Sequence, residues 1–209
     1  MLPIVVDAGF AVDIDSVAHL RVAEETLATR EDLVRPCAAS TSLLDPVRLL
    51  IFDFDGVFTD NRVYVNGSGI ETVGCSRGDG LGIERLLNHG IDAVVLSTEV
   101  NPVVAARCRK LNLEVQQGLR DKSQTLRNVV ASRGLTLEHV AYVGNDVNDL
   151  ECLRIAGVAV APADADPAVR GVADLVLRKR GGYGAVREIC ELAIAAQKGK
   201  GEYALSECR

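Results

Sequence analysis

Asp53 and Asp55 lie two residues apart, just where the apolar run Leu49-Leu50-Ile51-Phe52 gives out, and Gly56-Val57-Phe58-Thr59-Asp60 follows them. Two carboxylates at the end of a strand converge on one point only if the chain bends there, and Gly56 supplies the bend. Like charges held together away from water repel unless a cation sits between them. The pair therefore implies a hard metal ion as well as two acids.

Further candidates follow the later apolar runs. Ser97 comes after Ala93-Val94-Val95-Leu96, Lys122 opens a helical pattern, and Gly144-Asn145-Asp146-Val147-Asn148-Asp149 follows Tyr142-Val143. Acidic residues at turns also cap helices, so no single one of these is decisive. Two acids, a hydroxyl, a lysine and an acid-amide cluster suit phosphoryl transfer. Asp53 can attack phosphorus, Asp55 can carry the proton, and Ser97 and Lys122 can hold the equatorial oxygens while a metal offsets charge.

The elements that must position these residues alternate along the chain. Strands are expected at 48–54, 92–97, 113–116, 140–143, 158–160 and 174–177, and helices at 80–89, 101–111, 122–133, 147–156 and 184–197. Strand and helix in turn predict an α/β fold with a central parallel sheet covered on both faces, whose ligands sit at the carboxyl ends of the strands. Between the first strand and helix, Val63 to Val73 carries two β-rich halves joined through Asn66-Gly67, the signature of a projecting hairpin. Gly181, Gly182 and Gly184, ahead of the last helix, are expected to let the backbone pass close to a ligand.

Residues 1–46 read as an arm and linker, closing on a polar, proline-marked stretch before Pro46; Ser16 can cap a helix there with Val17, Leu20, Ala23 and Leu27 on one face. Residues 47–198 form the main domain, and 199–209 a polar tail. With 209 residues, 48% hydrophobic, the chain can bury one substantial core. A net charge of −6 gives no broad basic surface, which argues against nucleic acid as partner. No run has the length of a membrane span, and the start Met1-Leu2-Pro3-Ile4-Val5 lacks the pattern of a secretory signal, so the expectation is a cytoplasmic protein away from the membrane. The six cysteines include no C-x-x-C pair and are expected as reduced, mostly buried thiols.

The order D-x-D-G-V-x-T-D, then Ser97, Lys122 and G-N-D-x-x-D, resembles the haloacid dehalogenase (HAD) superfamily of phosphohydrolases, with its Rossmann-like three-layer fold. Such enzymes usually carry a cap domain after the first or second motif; here those gaps hold only the hairpin and a helix, or one helix, so the chain resembles the capless 3-deoxy-octulosonate 8-phosphate phosphatases. It also resembles the related carboxyl-terminal domain of N-acylneuraminate cytidylyltransferases. Arg77-Gly78-Asp79-Gly80-Leu81-Gly82-Ile83, Leu96 to Pro102, Tyr142 to Leu153 and Arg180 to Glu188 carry this likeness. It implies Mg2+ as cofactor, held by Asp53, Asp55 and Asn145 or Asp146 and supported by Asp149; an aspartyl-phosphate intermediate; phosphate contacts from Ser97, Thr98 and Lys122; and a homotetramer.

Ser97-Thr98-Glu99 stands where the octulosonate enzymes read Thr-Gly-Arg. Glu99 in place of a cation resembles the branch acting on nine-carbon sugars, with Glu99, Arg107, Lys110 and Asp79 as substrate contacts. Asn145 stands where the phosphatases usually have an aspartate ligand, and it brings an oxygen without charge. Ala11 to Glu24 resembles the last strand and helix of a cytidylyltransferase domain. Two readings follow: a phosphatase for an acidic keto-sugar phosphate, a nonulosonate 9-phosphate or an octulosonate 8-phosphate, or a non-catalytic tetramerisation domain of a cytidylyltransferase.

Overall fold

Leu49, Leu50, Ile51 and Phe52 are all fully buried, which a strand achieves only when both faces of its sheet are covered. The computed structural model describes residues 42–206, with side chains to Lys198, and the backbone of residues 5–6 and 10–11. The chain divides into a unit of residues 1–38 and a unit of residues 39–209. In the first, β1 (Val5–Val6) pairs antiparallel with β2 (Phe10–Ala11). The expected helix capped by Ser16 lies outside the described residues.

The second unit holds a six-stranded, wholly parallel sheet. Its strands are β3 (Leu49–Phe52), β6 (Asp92–Leu96), β7 (Glu114–Gln116), β8 (Val140–Val143), β9 (Val158–Ala161) and β10 (Leu175–Val176). They stand in the order β10-β9-β8-β3-β6-β7, with β3 central: Ile51 is opposite Val94 on one side and Tyr142 on the other. Alternation sends successive side chains to opposite faces. Leu50, Phe52, Val95 and Val143 join one core with Ile83 and Leu86 of α1 (Arg77–Asn88), Val104 and Cys108 of α2 (Val103–Lys110), and Val186 and Ile189 of α6 (Ala185–Ser206). Leu49, Ile51, Val94 and Tyr142 join a second core with Leu126 and Val129 of α3 (Lys122–Ser132), Leu153 of α4 (Leu150–Ile155) and Val169 of α5 (Pro167–Val172). This is the expected three-layer α/β fold.

Local signals explain the helix starts. Ser76 caps α1 by accepting from the Gly78 N–H at 3.1 Å, and Asp121 caps α3 by accepting from the Gln124 N–H at 2.9 Å. The short helix α5 was not among the expected elements, although Asp166-Pro167 carries its cap and a proline at the first helical position. The helix expected at 147–156 is split: a tight 3-10 turn over Val147–Asp149 leads into α4.

The hairpin is present as β4 (Tyr64–Val65) paired antiparallel with β5 (Glu71–Thr72). Asn66 holds its turn by accepting from Ser68 N and Ile70 N, and Val63, Tyr64, Val65 and Ile70 are exposed. Two boundaries differ from expectation. Leu44 and Val47 are fully buried, so the second unit begins ahead of residue 47, and α6 continues as a helix to Ser206 through most of the expected polar tail. Among the described cysteines, Cys108, Cys152 and Cys190 are buried and Cys75 half-buried, all as free thiols.

The glycine-rich segment before α6, expected to lie close to a ligand, packs instead on another backbone, the loop that follows β3. The Gly182 N–H donates to Val57 O at 3.0 Å, and a Cβ on Gly181 would overlap Gly56 O. Gly182 also has φ +71°, with space for a Cβ closed by Asp60 N at 2.5 Å. Gly182→Ala is expected to cost at least about 1–2 kcal/mol for the left-handed backbone alone. Thermal melts should then fall by roughly 2–8 °C; an unchanged melting temperature would show that the segment is not held against the loop.

Candidate active site

Lys122, the first residue of α3, sends its ammonium under the carboxyl end of the sheet, where Nζ meets Asp53 Oδ1 at 2.8 Å and Asp149 Oδ1 at 2.9 Å. All three groups are nearly sealed from solvent: Asp53 is 5% exposed, Lys122 4% and Asp149 0%. One buried cation between two buried anions leaves a net negative charge. Burial raises the Asp53 carboxyl, Asp149 raises it further, Lys122 pulls it back, and the balance leaves it pushed up to about 7. Burial works against the Lys122 ammonium as well, but Asp53 and Asp149 outweigh it and lift its pKa above the ordinary lysine value.

Asp149 is fully engaged. Besides Lys122 it accepts from the Tyr142 hydroxyl at 2.7 Å and from the backbone N–H groups of Asn145 and Asp146 at 3.0 and 3.4 Å. Gly144 makes this possible, because a Cβ there would stand 2.6 Å from the Asp149 Cβ. The 144–149 loop is thus wound around a carboxylate that also positions the lysine.

Asn145, buried in the same loop, packs its amide against Gly56, whose φ of +80° and missing Cβ leave the room. With its nitrogen inward, that amide donates to Asp55 O at 2.7 Å and to Asp53 Oδ2 at 3.3 Å; with its oxygen inward, three oxygens meet with no hydrogen between them. A carboxylate, a backbone carbonyl and an amide oxygen are the hard donors that magnesium takes, so these residues fit the ion. Among the described residues no three His, Cys, Asp or Glu side chains converge in this way, because the third donor is an asparagine.

The Asp55 carboxylate points elsewhere, accepting from the Thr59 hydroxyl at 3.3 Å, and burial raises its pKa despite that bond. So Asp55 faces the amide through its backbone oxygen, and its carboxyl is turned to the Thr59 hydroxyl. Asp146, expected as an alternative ligand, is exposed, accepts from its own neighbour Val147 N at 2.7 Å and lines the same cavity as Asp53.

A cavity of about 220 Å³ lies over Asp53, Asp55, Ser97, Thr98 and Asn145. Ser97, buried at the end of β6, accepts from Glu99 N at 3.0 Å, while Thr98 is exposed on the rim. A second cavity of about 270 Å³ adjoins it through Asp55 and Asn61 and is walled by Arg62, Glu71, Glu99 and Asn101. Glu99 therefore reaches the cleft as expected, with Oε1 folded back to accept from Val100 N and Asn101 N at 2.6 and 2.8 Å.

The other three expected substrate contacts are not brought to these cavities. Asp79 is fully buried between α1 and α6, accepting from Arg187 N at 2.9 Å. Arg107 donates to Ser76 O at 2.8 Å in the seam between α1 and α2, and Lys110 is an exposed residue one turn further along. Helical spacing put Arg107 and Lys110 on one face, but that face meets α1 and solvent. Asn61, Arg62, Glu71 and Asn101 were missed. The signal for them lay in the hairpin itself, whose base at Asn61 takes φ +61° and whose Glu71 accepts from Asn101 at 2.9 Å.

Comparison with known proteins accords with this geometry. The haloacid dehalogenase-like hydrolase family matches residues 96–189. The 3-deoxy-D-manno-octulosonate 8-phosphate phosphatase of Escherichia coli K12 is 36% identical over 152 residues, which is 72% of this chain and 81% of that one. A Streptomyces avermitilis protein of the HAD family is 46% identical, with a TM-score of 0.70 over 71% of this chain and 86% of its own. The octulosonate phosphatase of Moraxella catarrhalis, solved with magnesium, phosphate and KDO, is 30% identical, with a TM-score of 0.75 over 82% of this chain and 99% of its own. The chain belongs to the 3-deoxy-D-manno-octulosonate 8-phosphate phosphatase family of haloacid dehalogenase-like hydrolases.

Proposed function

We propose that the protein is a Mg2+-dependent phosphatase that releases inorganic phosphate from the terminal position of an acidic keto-sugar, a nonulosonate 9-phosphate or the octulosonate 8-phosphate of its relatives. The observation that carries the reading is the Lys122 ammonium held between Asp53 and Asp149 beneath a cavity lined by Asp53, Ser97 and Asn145. Magnesium, held by Asp53, the Asp55 carbonyl and Asn145, would supply positive charge against the phosphoryl oxygens.

The residues divide the work. An Asp53 carboxylate oxygen forms a bond to phosphorus as the bond from phosphorus to the sugar oxygen breaks. Lys122 and the Ser97 hydroxyl hold the phosphoryl oxygens as charge shifts onto them. Asp55, its carboxyl raised by burial and steadied by Thr59, gives its proton to the departing sugar oxygen. It then takes a proton from water as that water attacks phosphorus, which frees phosphate and restores Asp53.

The adjoining cavity supports the substrate class. Arg62 is the one cation among its described lining residues, fit to meet a sugar carboxylate, and Glu99 and Asn101 offer partners for hydroxyls. The exposed apolar hairpin supports assembly into a homotetramer in which a neighbour covers the open cleft.

A screen of acidic sugar phosphates, with released phosphate as readout, tests the reading. Turnover is expected with magnesium and absent with chelator, and faster for a nonulosonate 9-phosphate than for an octulosonate 8-phosphate; equal rates would reject the specificity argued from Glu99. No turnover on any sugar phosphate at saturating magnesium would leave the protein as an assembly domain. Asp53→Asn should lower turnover by roughly 10⁶-fold without unfolding the protein, as loss of a nucleophile does. Arg62→Ala should raise KM about tenfold with little change in kcat, the effect of losing one charge-assisted hydrogen bond; an unaltered KM would remove Arg62 from the substrate site.

A further inference from the structure

An asparagine facing two acceptors behaves differently from a carboxylate in the same place. The main chain of Asn145 is fixed at both ends of the residue, its N–H donating to Asp149 Oδ2 at 3.0 Å and its carbonyl accepting from Asp166 N at 2.8 Å. Its side chain is pressed against Gly56, where even a Cβ would overlap it. The backbone and Gly56 thus hold the amide beside Asp53 and Asp55. A half-turn about its last torsion exchanges nitrogen for oxygen in front of Asp55 O and Asp53 Oδ2.

In the nitrogen-inward state the amide donates to both acceptors, so a site without metal satisfies its own oxygens. In the oxygen-inward state it offers a cation a third ligand, but a neutral one. An aspartate at this position could ligate a cation but could not make the first state: it has no hydrogen to donate while ionised, and without a cation it would add a third negative charge beside Asp53 and Asp149.

Resting on the reading of this cavity as a magnesium site, we infer that Asn145 is a two-state positioning residue that stabilises the metal-free site and must turn its amide over to admit the cation. Metal binding then competes with two internal hydrogen bonds and gains no charge from the third ligand. The protein keeps its site ordered when magnesium is scarce and holds the ion loosely when it is present.

The test compares wild-type protein with Asn145→Asp and Asn145→Ala by magnesium titration calorimetry and by thermal melts in chelator and in magnesium. Asn145→Asp should bind magnesium about tenfold or more tightly, as an added ligand charge does, yet melt lower than wild type in chelator. Asn145→Ala, which adds no charge, should also melt lower in chelator and should bind magnesium more weakly. In the wild-type protein, the side-chain NH₂ resonances of Asn145 should shift on magnesium addition.

Equal magnesium affinity for wild type and Asn145→Asp would overturn the inference while leaving the magnesium site standing. So would an Asn145→Ala protein as stable as wild type in chelator. If neither wild type nor Asn145→Asp binds magnesium, the metal reading itself falls, and the inference with it.

Discussion

Everything at the carboxyl end of the sheet is arranged around one ammonium group held between two buried carboxylates. Asp53, Lys122 and Asp149 come from three separate stretches of chain, after β3, at the start of α3 and after β8, and none can be removed from water alone without a large penalty. Together they are tolerated, but with one negative charge in excess, and that excess is the site's demand for a further cation. Asp149 meets the demand only in part by accepting from Tyr142 and from two backbone N–H groups. The remainder falls on Asp53, whose carboxyl is the strained member.

The sheet makes this convergence possible. Because β3 is flanked by β6 and β8 and buried on both faces, its end is a fixed point from which Asp53 and Asp55 project into a walled space. The two cores split its residues by parity, so a one-residue slip would exchange every side chain between faces. The hairpin departs from the same strand end and brings Asn61 and Arg62 over the cleft, so Asp53 and the wall of the second cavity are set by one short segment.

Much of this was legible in the chain before folding. The apolar runs, the Asp-Phe-Asp-Gly turn, the Asn66-Gly67 hairpin and the order of Ser97, Lys122 and Asp149 reported the sheet and the side chains that gather at its carboxyl end, because each follows from a local rule of periodicity or turn chemistry. What was not legible depends on packing between elements. Arg107 and Lys110 share a helical spacing with many solvated charges, and only the fold says that their face turns toward α1 and solvent. Asp79 lies on α1, close in sequence to the hairpin, but α6 packs over it. The choice of Asn145 over Asp146 as the residue against Asp53 is set by the winding of one turn about Asp149, which no spacing encodes. Helix α5 is too short for periodicity to reveal.

The contact of Gly181 and Gly182 with the loop after β3 joins two stretches that are far apart along the chain and carry no shared chemical signature. The two glycines bring main chain directly against main chain there, Gly182 N–H on Val57 O, with the Tyr183 hydroxyl reaching Asp60 Oδ2 at 3.4 Å beside it. Sequence change in one stretch is then constrained by the shape of the other: an insertion or a bulky residue before α6 would be felt as a displacement of Gly56 and of the amide resting on it. Loss of function could thus arise in a segment with no reacting group, through steric pressure transmitted over a single layer of main chain.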